Sequence, residues 1–338
     1  MQKNPTDLMI KPQELQISHL RVQLMEHPDV WSPLSAIEML SFLMEHGFLD
    51  ALEQQRVLDF GTGSGVVGVV CGLLGAAPLM LSDYSAMAAQ VAEKNARLNG
   101  LSQVKGIQSD RFHQLPPQRY DLIISNPPVQ PWLFTDLEQP DSRRKAAAWN
   151  EAGADGRLVL EALIQSAASF LRPGGRLITS SSSRHGHRQT LAQMEQYWPG
   201  RWRQIYAAQH AVLPDYHGPY ILLWKHLQAL DGDLRIYQID LQGRRFAHQT
   251  DAQGEPITIA TLMIDGRSQP VILRSLPLSE WAVYSPRGDH LLTLSSSDAR
   301  LPGPATSDRW YYEYYLLEAC QSSGEGHLPR RRFGADAS

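Results

Sequence analysis

The segment Asp121-Leu122-Ile123-Ile124-Ser125-Asn126-Pro127-Pro128 is an apolar strand that ends in an asparagine and two prolines. Consecutive prolines stiffen a loop and offer carbonyls without competing N–H groups. The Asn126 side-chain oxygen and the Pro127 carbonyl can each accept one hydrogen of an –NH2 group. A nitrogen held that way presents its lone pair in a fixed direction. That arrangement suits an in-line displacement, which needs alignment more than acid–base force. Upstream lies Val57-Leu58-Asp59-Phe60-Gly61-Thr62-Gly63-Ser64-Gly65, an apolar strand running into a glycine-rich turn. Gly61, Gly63 and Gly65 let the backbone approach an adenosine-containing ligand, with helix N–H groups facing it. A nicotinamide fingerprint would carry its third glycine at the position of Val66. Glycine at 65 instead favours S-adenosylmethionine (SAM). The two segments together point to SAM chemistry on a nitrogen.

Carboxylates stand at successive strand ends. Asp59 precedes the glycine turn, Asp83 ends the next strand, and Asp110 follows the third. Asp83 can accept both ribose hydroxyl hydrogen bonds. Asp110, in Asp110-Arg111-Phe112, can accept from the adenine amino group, with Phe112 or Tyr84 flanking the ring. Any one of these carboxylates could instead cap a turn or helix. Three in register argue for a ligand, and Asn126 borders the same ligand. On the substrate side the candidates are Trp31, Pro128, Val129, Trp132, Ser181 and His217. His185 and His187 follow the serine run 180–183 and could act as a base or sit in a solvated loop. They belong to no metal-ligand set, so no metal is expected.

These residues need a scaffold that brings strand ends together. Strand candidates are 56–60, 79–82, 104–108, 120–125, 175–180, 202–208 and 219–226, and helix candidates are 65–75, 85–98, 154–171 and 186–197. A further helix starts after Pro33. Alternating strands and helices predict an α/β fold with a doubly wound, mostly parallel seven-stranded sheet. The last two strands, joined through His210–Gly218, are expected to form an antiparallel hairpin. Residues 1–28 read as a lid or flap, with an amphipathic helical stretch near Leu15–Met25. The cofactor domain is placed at 29–227. From 228 to 321 the pattern turns to hairpins, with turns at Gln242-Gly243, Asp251–Gly254 and Asp265-Gly266. This β-rich accessory region is expected to close with a helix-like aromatic segment, Trp310–Leu317. The tail 322–338 is expected to be disordered.

The chain has 338 residues, 43% apolar and 20% charged, with a formal net charge of -4. That balance argues against a dedicated nucleic-acid binder. No apolar run is long enough to span a bilayer, and the first residues lack a signal-peptide core, so a cytoplasmic location is expected. Cys71 and Cys320 lie too far apart in sequence to suggest a disulfide framework or a zinc site. The aromatic run at 310–315 leaves room for a homodimer.

Asp59–Gly65, Asp83, Asp110 and Asn126–Pro128 together resemble the class I SAM-dependent methyltransferases of the Asn-Pro-Pro-aromatic group. Within that group the likeness is to the release-factor glutamine N5-methyltransferases. Asp29-Val30-Trp31-Ser32-Pro33 is similar to a Val-Tyr-x-Pro segment of that family. Ala152-Gly153-Ala154-Asp155-Gly156-Arg157 is similar to its Gly-x-x-Gly-Arg segment. The resemblance covers roughly residues 28–227. It implies SAM bound at Asp59–Gly65, Asp83 and Asp110, and a planar amide or amine held by Asn126. The family's aromatic residue after Asn-Pro-Pro is Val129 here, with Trp132 or Trp149 as replacements. The expected function is N-methylation of a small molecule or of a peptide or protein. Two other readings stay open. One is a cyclase in which the cofactor's own amine attacks, releasing methylthioadenosine. The other is a non-catalytic scaffold.

Overall fold

The computed structural model describes residues 12–30, 36–131, 152–212 and 219–322. Strands β1 (Gln13–Ile17) and β2 (Leu20–Leu24) form an antiparallel hairpin. The helix expected near Leu15–Met25 is therefore absent. Leu15, Ile17, Leu20, Val22 and Leu24 alternate with polar residues, and that period of two belongs to a strand. Ile17, Val22 and Leu24 are buried in the main core.

The chain then alternates as expected. Helix α1 (Ile37–Glu45) leads to β3 (Val57–Phe60), α2 (Val66–Leu73), β4 (Leu79–Asp83), α3 (Ala86–Leu98), β5 (Val104–Gln108) and β6 (Tyr120–Ser125). Further along come α4 (Leu158–Phe170), β7 (Leu171–Ser182), α5 (His187–Tyr197) and β8 (Trp202–Ala211). Strands β5, β4, β3, β6 and β7 pair in parallel in that order. Val57, Leu58, Leu122, Ile123 and Ile124 are fully buried, the mark of a sheet covered on both faces. One face packs on α1, α2, α3 and the hairpin; the other packs on α4 and α5.

Two elements depart from expectation. Residues 219–226 belong to helix α6 (Pro219–Asp231), not to a strand. Their continuous apolar run cannot tell a short strand from a buried helix face. Trp224 and Gln228, one helical turn apart, are both fully buried. The aromatic segment expected to be helical is instead strand β15 (Tyr311–Cys320). It lies between β7 and β8 and runs antiparallel to both. Tyrosines favour such a pleated, double-covered position. The hairpin expected of 202–208 with 219–226 is therefore absent, since β8 pairs with β15 instead, and residues 213–218 lie outside the described segments.

Between β8 and β15 the chain builds a second sheet. It contains β9 (Gln238–Ile239), β10 (Arg245–Thr250), β11 (Pro256–Ile264), β12 (Arg267–Leu276), β13 (Glu280–Tyr284) and β14 (His290–Ser295), all antiparallel. The expected turns at Gly243, Gly254 and Gly266 all carry positive φ. This sheet has its own core of Phe246, Leu262, Val271, Leu273 and Val283. The β-rich region is thus inserted ahead of the main sheet's last strand, and Tyr311–Cys320 belongs to the main sheet.

Candidate active site

The glycine turn leaves β3 with Gly61, Gly63 and Gly65 at φ of 71°, 53° and 86°. Such values favour glycine. Gly65 also abuts α3, where an added Cβ would meet the Ala92 Cα at 2.7 Å. At Gly61 an added Cβ would meet nothing within 4 Å, so the turn faces open space there.

Three side chains hold the turn. Asp59 is buried beneath it and accepts from the Thr62 hydroxyl at 2.6 Å and the Gly68 N–H at 2.8 Å. Burial pushes its carboxyl up to about 6. Asp59 therefore braces the turn from below, with almost no surface for a ligand. Asp83 accepts from the Gly63 N–H and the Ser85 N–H, both at 2.9 Å. Burial raises its carboxyl as well. A carboxylate has about four acceptor directions, so capacity remains for ribose hydroxyls. Asn95, fully buried on α3, donates to the Ser64 carbonyl at 2.8 Å and also bonds both backbone groups of Met25. It ties the N-terminal hairpin to the turn, a link for which the sequence held no motif.

After β5, Asp110 takes both hydrogen bonds of a fork from Arg111, at 2.9 and 3.0 Å. That guanidinium holds its carboxyl below the usual range. Tyr84 is 75% exposed at the rim. Phe112 does not join it, contrary to the reading that it could flank the ring. It is buried, with its ring 4.5 Å from both Phe60 and Phe170. A lone aromatic after a strand-end carboxylate gives no sign of which way it turns.

Asn126 follows β6, and its side-chain oxygen accepts from the Ser180 hydroxyl at 2.6 Å. Ser125 donates to the Phe60 carbonyl at 2.7 Å, which joins the ends of β6 and β3. The Asn-Pro-Pro loop and the glycine turn are thereby neighbours. The Gly153–Arg157 segment clamps the far side of the loop. The Ala152 N–H donates to the Gln130 carbonyl at 2.8 Å. Gly156, at φ 81°, lies so close to Val129 that any Cβ would overlap its carbonyl oxygen. Arg157 is fully buried and bonds Glu161, Thr190, Gln193 and the backbone carbonyls of His185 and Gly186. It fixes the turn after β7 against α4.

His185 is fully buried rather than in a solvated loop. Its Nδ1 accepts from the Ser182 N–H at 3.2 Å, which leaves the ring proton on Nε2. Burial, with Arg157, Arg184 and Arg235 nearby, holds it well below the usual imidazole range. His187 stacks on Tyr315 at 4.0 Å, and burial lowers it too. Ser181 is buried and faces Tyr315 across the β7–β15 pair. Trp31, Trp132, Trp149 and His217 lie outside the described residues. A polar group that the sequence did not reveal sits beyond Ser180. Glu38 on α1 accepts from Tyr206 at 2.7 Å and lies 3.1 Å from His210. Tyr314 stands beside it, its ring 5.5 Å from His210. No group of three His, Cys, Asp or Glu among the described residues could hold a metal ion.

The accessory sheet is pinned to this region. Arg235 donates to the Arg184 carbonyl and to Asp231, both at 2.7 Å, and Ser183 donates to the Arg235 carbonyl at 2.7 Å. Glu313 on β15 accepts from Tyr237 and pairs with Arg245 on β10 at 2.8 Å.

Residues 21–138 match the methyltransferase small domain family. The release factor glutamine methyltransferase of Xylella fastidiosa is 36% identical over 131 residues, covering 38% of this chain and 48% of that protein. A putative protein N5-glutamine methyltransferase of Methanocaldococcus jannaschii is 28% identical over 174 residues, covering 52% and 83%. Among solved structures, a T. thermophilus 16S rRNA methyltransferase in complex with AdoMet and guanosine is 21% identical with a TM-score of 0.44, covering 59% of this chain and 48% of that one. The chain thus spans about half the length of the Xylella relative. The match of residues 21–138 to the methyltransferase small domain family and the likeness to release factor glutamine methyltransferases thus fall on the part of the chain that carries the glycine turn and the Asn-Pro-Pro loop.

Proposed function

We propose that this chain transfers a methyl group from SAM to the nitrogen of a planar amide. The observation that carries the reading is the Asn126 carboxamide, held by Ser180 at the end of β6 beside the glycine turn. SAM supplies an electrophilic methyl on a sulfonium. The open space over Gly61, the part-buried Asp83 and Asp110 and the exposed Tyr84 fit an adenosine and its ribose. Asp83 would accept the ribose hydroxyls, Asp110 the adenine amino group, and Tyr84 would lie along the ring.

The chain's own part in the reaction is alignment. Asn126 Oδ1 and the Pro127 carbonyl would each accept one amide hydrogen and leave the nitrogen's lone pair aimed at the methyl carbon. Two accepted hydrogen bonds also push electron density onto that nitrogen. Bound SAM would supply the methyl and leave as S-adenosylhomocysteine, while the methylated nitrogen would release one of the two protons held by Asn126 Oδ1 and the Pro127 carbonyl to solvent. No strong base is needed, and the neutral, donor-side His185 supplies none.

The names of the relatives make a glutamine side chain in a peptide or protein the first acceptor to test. The test is purified chain with SAM, offered a glutamine-containing peptide or small primary amines, with products read by mass spectrometry. Methylated peptide with equimolar S-adenosylhomocysteine supports the reading, and methylation of the amines alone moves the substrate class to small molecules. Methylthioadenosine without any acceptor would mean that SAM itself is consumed and that the methyl-transfer reading is wrong.

A further inference from the structure

An asparagine carboxamide has two nearly equal orientations. Only the one with oxygen toward the acceptor can receive an N–H hydrogen; the flipped one sets donor against donor. Resting on the reading of Asn126 above, something must choose between them. Asn126 Oδ1 accepts from Ser180 at 2.6 Å, and Ser180 is 2% exposed on β7. A hydroxyl can equally accept from the amide nitrogen, so Ser180 chooses only if its own proton is directed.

β15 supplies the direction. It pairs antiparallel with β7, with Tyr314 opposite Ser182 and Leu316 opposite Ser180. Tyr314 and Ser180 are therefore diagonal neighbours on one sheet face, within reach of a long aromatic side chain. The Tyr314 hydroxyl is buried with no aligned partner of its own. Burial raises the phenol, so Tyr314 keeps its proton. A phenol is far more acidic than an aliphatic alcohol and is the better donor of the two. A donation from Tyr314 to the Ser180 oxygen would leave the Ser180 proton to point at Asn126. Tyr206 and His210, also near Tyr314, already face Glu38.

We propose that Tyr314 and Ser180 form a two-hydroxyl relay that locks the Asn126 carboxamide with its oxygen toward the acceptor nitrogen. Both are positioning residues for the transfer. The relay joins the last strand of the sheet to the Asn-Pro-Pro loop, although the inserted accessory sheet separates them in sequence.

The test uses the full chain and a readout that needs no substrate. With asparagine labelled by nitrogen-15, the Asn126 side-chain –NH2 pair is assigned by its loss in Asn126→Ala. In Ser180→Ala and Tyr314→Phe the pair should shift and exchange with water at least about fivefold faster, the loss expected from one hydrogen bond. Ser180→Thr, which keeps the hydroxyl, should restore the native signal. An unchanged pair in Ser180→Ala, with the fold intact, overturns the relay. Turnover on the glutamine peptide gives the second arm. Ser180→Ala should lower kcat about fivefold to tenfold with KM for SAM unchanged, and should add nothing in an Asn126→Ala background. An equal further loss in that background would make Ser180 merely structural and would also overturn the relay. If Asn126→Ala keeps full turnover while the –NH2 pair responds as expected, the relay stands and the functional reading of Asn126 fails.

Discussion

Substituting Gly156 by alanine should disable the Asn-Pro-Pro loop from behind. Gly156 sits at φ 81°, where an L side chain costs about 1–2 kcal/mol. A Cβ there would also stand about 1 Å inside ordinary contact with the Val129 carbonyl oxygen. Backbone cannot move aside as a flexible side chain does, so relief requires displacing residues 129–131. Such overpacking costs a further ~1–3 kcal/mol. Gly174→Ala provides the control, because it has φ 76° with nothing within 4 Å of an added Cβ. It should lose only the backbone penalty. Urea denaturation of both variants separates the two terms. Gly156→Ala should be less stable than Gly174→Ala by ~1–3 kcal/mol. A 1 Å shift of the loop that carries Asn126 should also lower kcat by about tenfold to a hundredfold. SAM affinity, measured by calorimetry, should change by less than about threefold, because the glycine turn lies elsewhere. If Gly156→Ala matches Gly174→Ala in both stability and turnover, the close approach does not position the loop and the reasoning fails.

Asp59 gives a pH signature. Its folded carboxyl titrates at about 6, above the ordinary 3.8, so its contribution to stability is full below about 4 and lost as pH rises through about 6. Asp59→Asn keeps an oxygen for Thr62 and Gly68, so its stability relative to the native chain should rise between pH 4 and 7 and then level off; a pH-independent gap in denaturation midpoints would contradict this. Asp83→Ala removes the acceptor for the Gly63 and Ser85 N–H groups and, on the reading above, for the ribose. SAM affinity should fall about tenfold to a hundredfold by calorimetry, and native affinity would remove Asp83 from the cofactor site. Arg235→Ala deletes the buried bond to the Arg184 carbonyl just after β7 and the part-buried ion pair with Asp231 on α6. Hydrogen exchange in β9–β11 should quicken, with a stability loss of about 2–4 kcal/mol; unchanged exchange would mean that the pin is elsewhere.

The parallel core was legible because each strand ends in a chemically marked turn. Glycines at 61, 63 and 65, and prolines at 127 and 128, fix where strands stop. Elements read only from apolar runs fared worse. Residues 219–231 and 311–320 carry similar mixtures of aromatics, leucines and charges, yet one is a helix and the other a central strand. What separates them is tertiary: β15 can complete the main sheet only after the inserted sheet has returned the chain to it. The same limit applies to side chains. Asp59 and Phe112 sit at strand ends in the sequence, but burial turns one beneath the glycine turn and the other into the core. Ser180 and Tyr314 carry no motif. Their meeting depends on strand register between segments far apart in the chain.

The central claim is that Asn126 holds an acceptor amide for methyl transfer. Its most direct test compares the native chain with Asn126→Ala on one glutamine-containing peptide at saturating SAM. Tandem mass spectrometry locates the methyl group, and calorimetry confirms that both proteins bind SAM. The native chain should place one methyl on the side-chain amide nitrogen, and the variant should do so at least about a hundredfold more slowly. Equal rates, or a methyl on any other atom, would contradict the account.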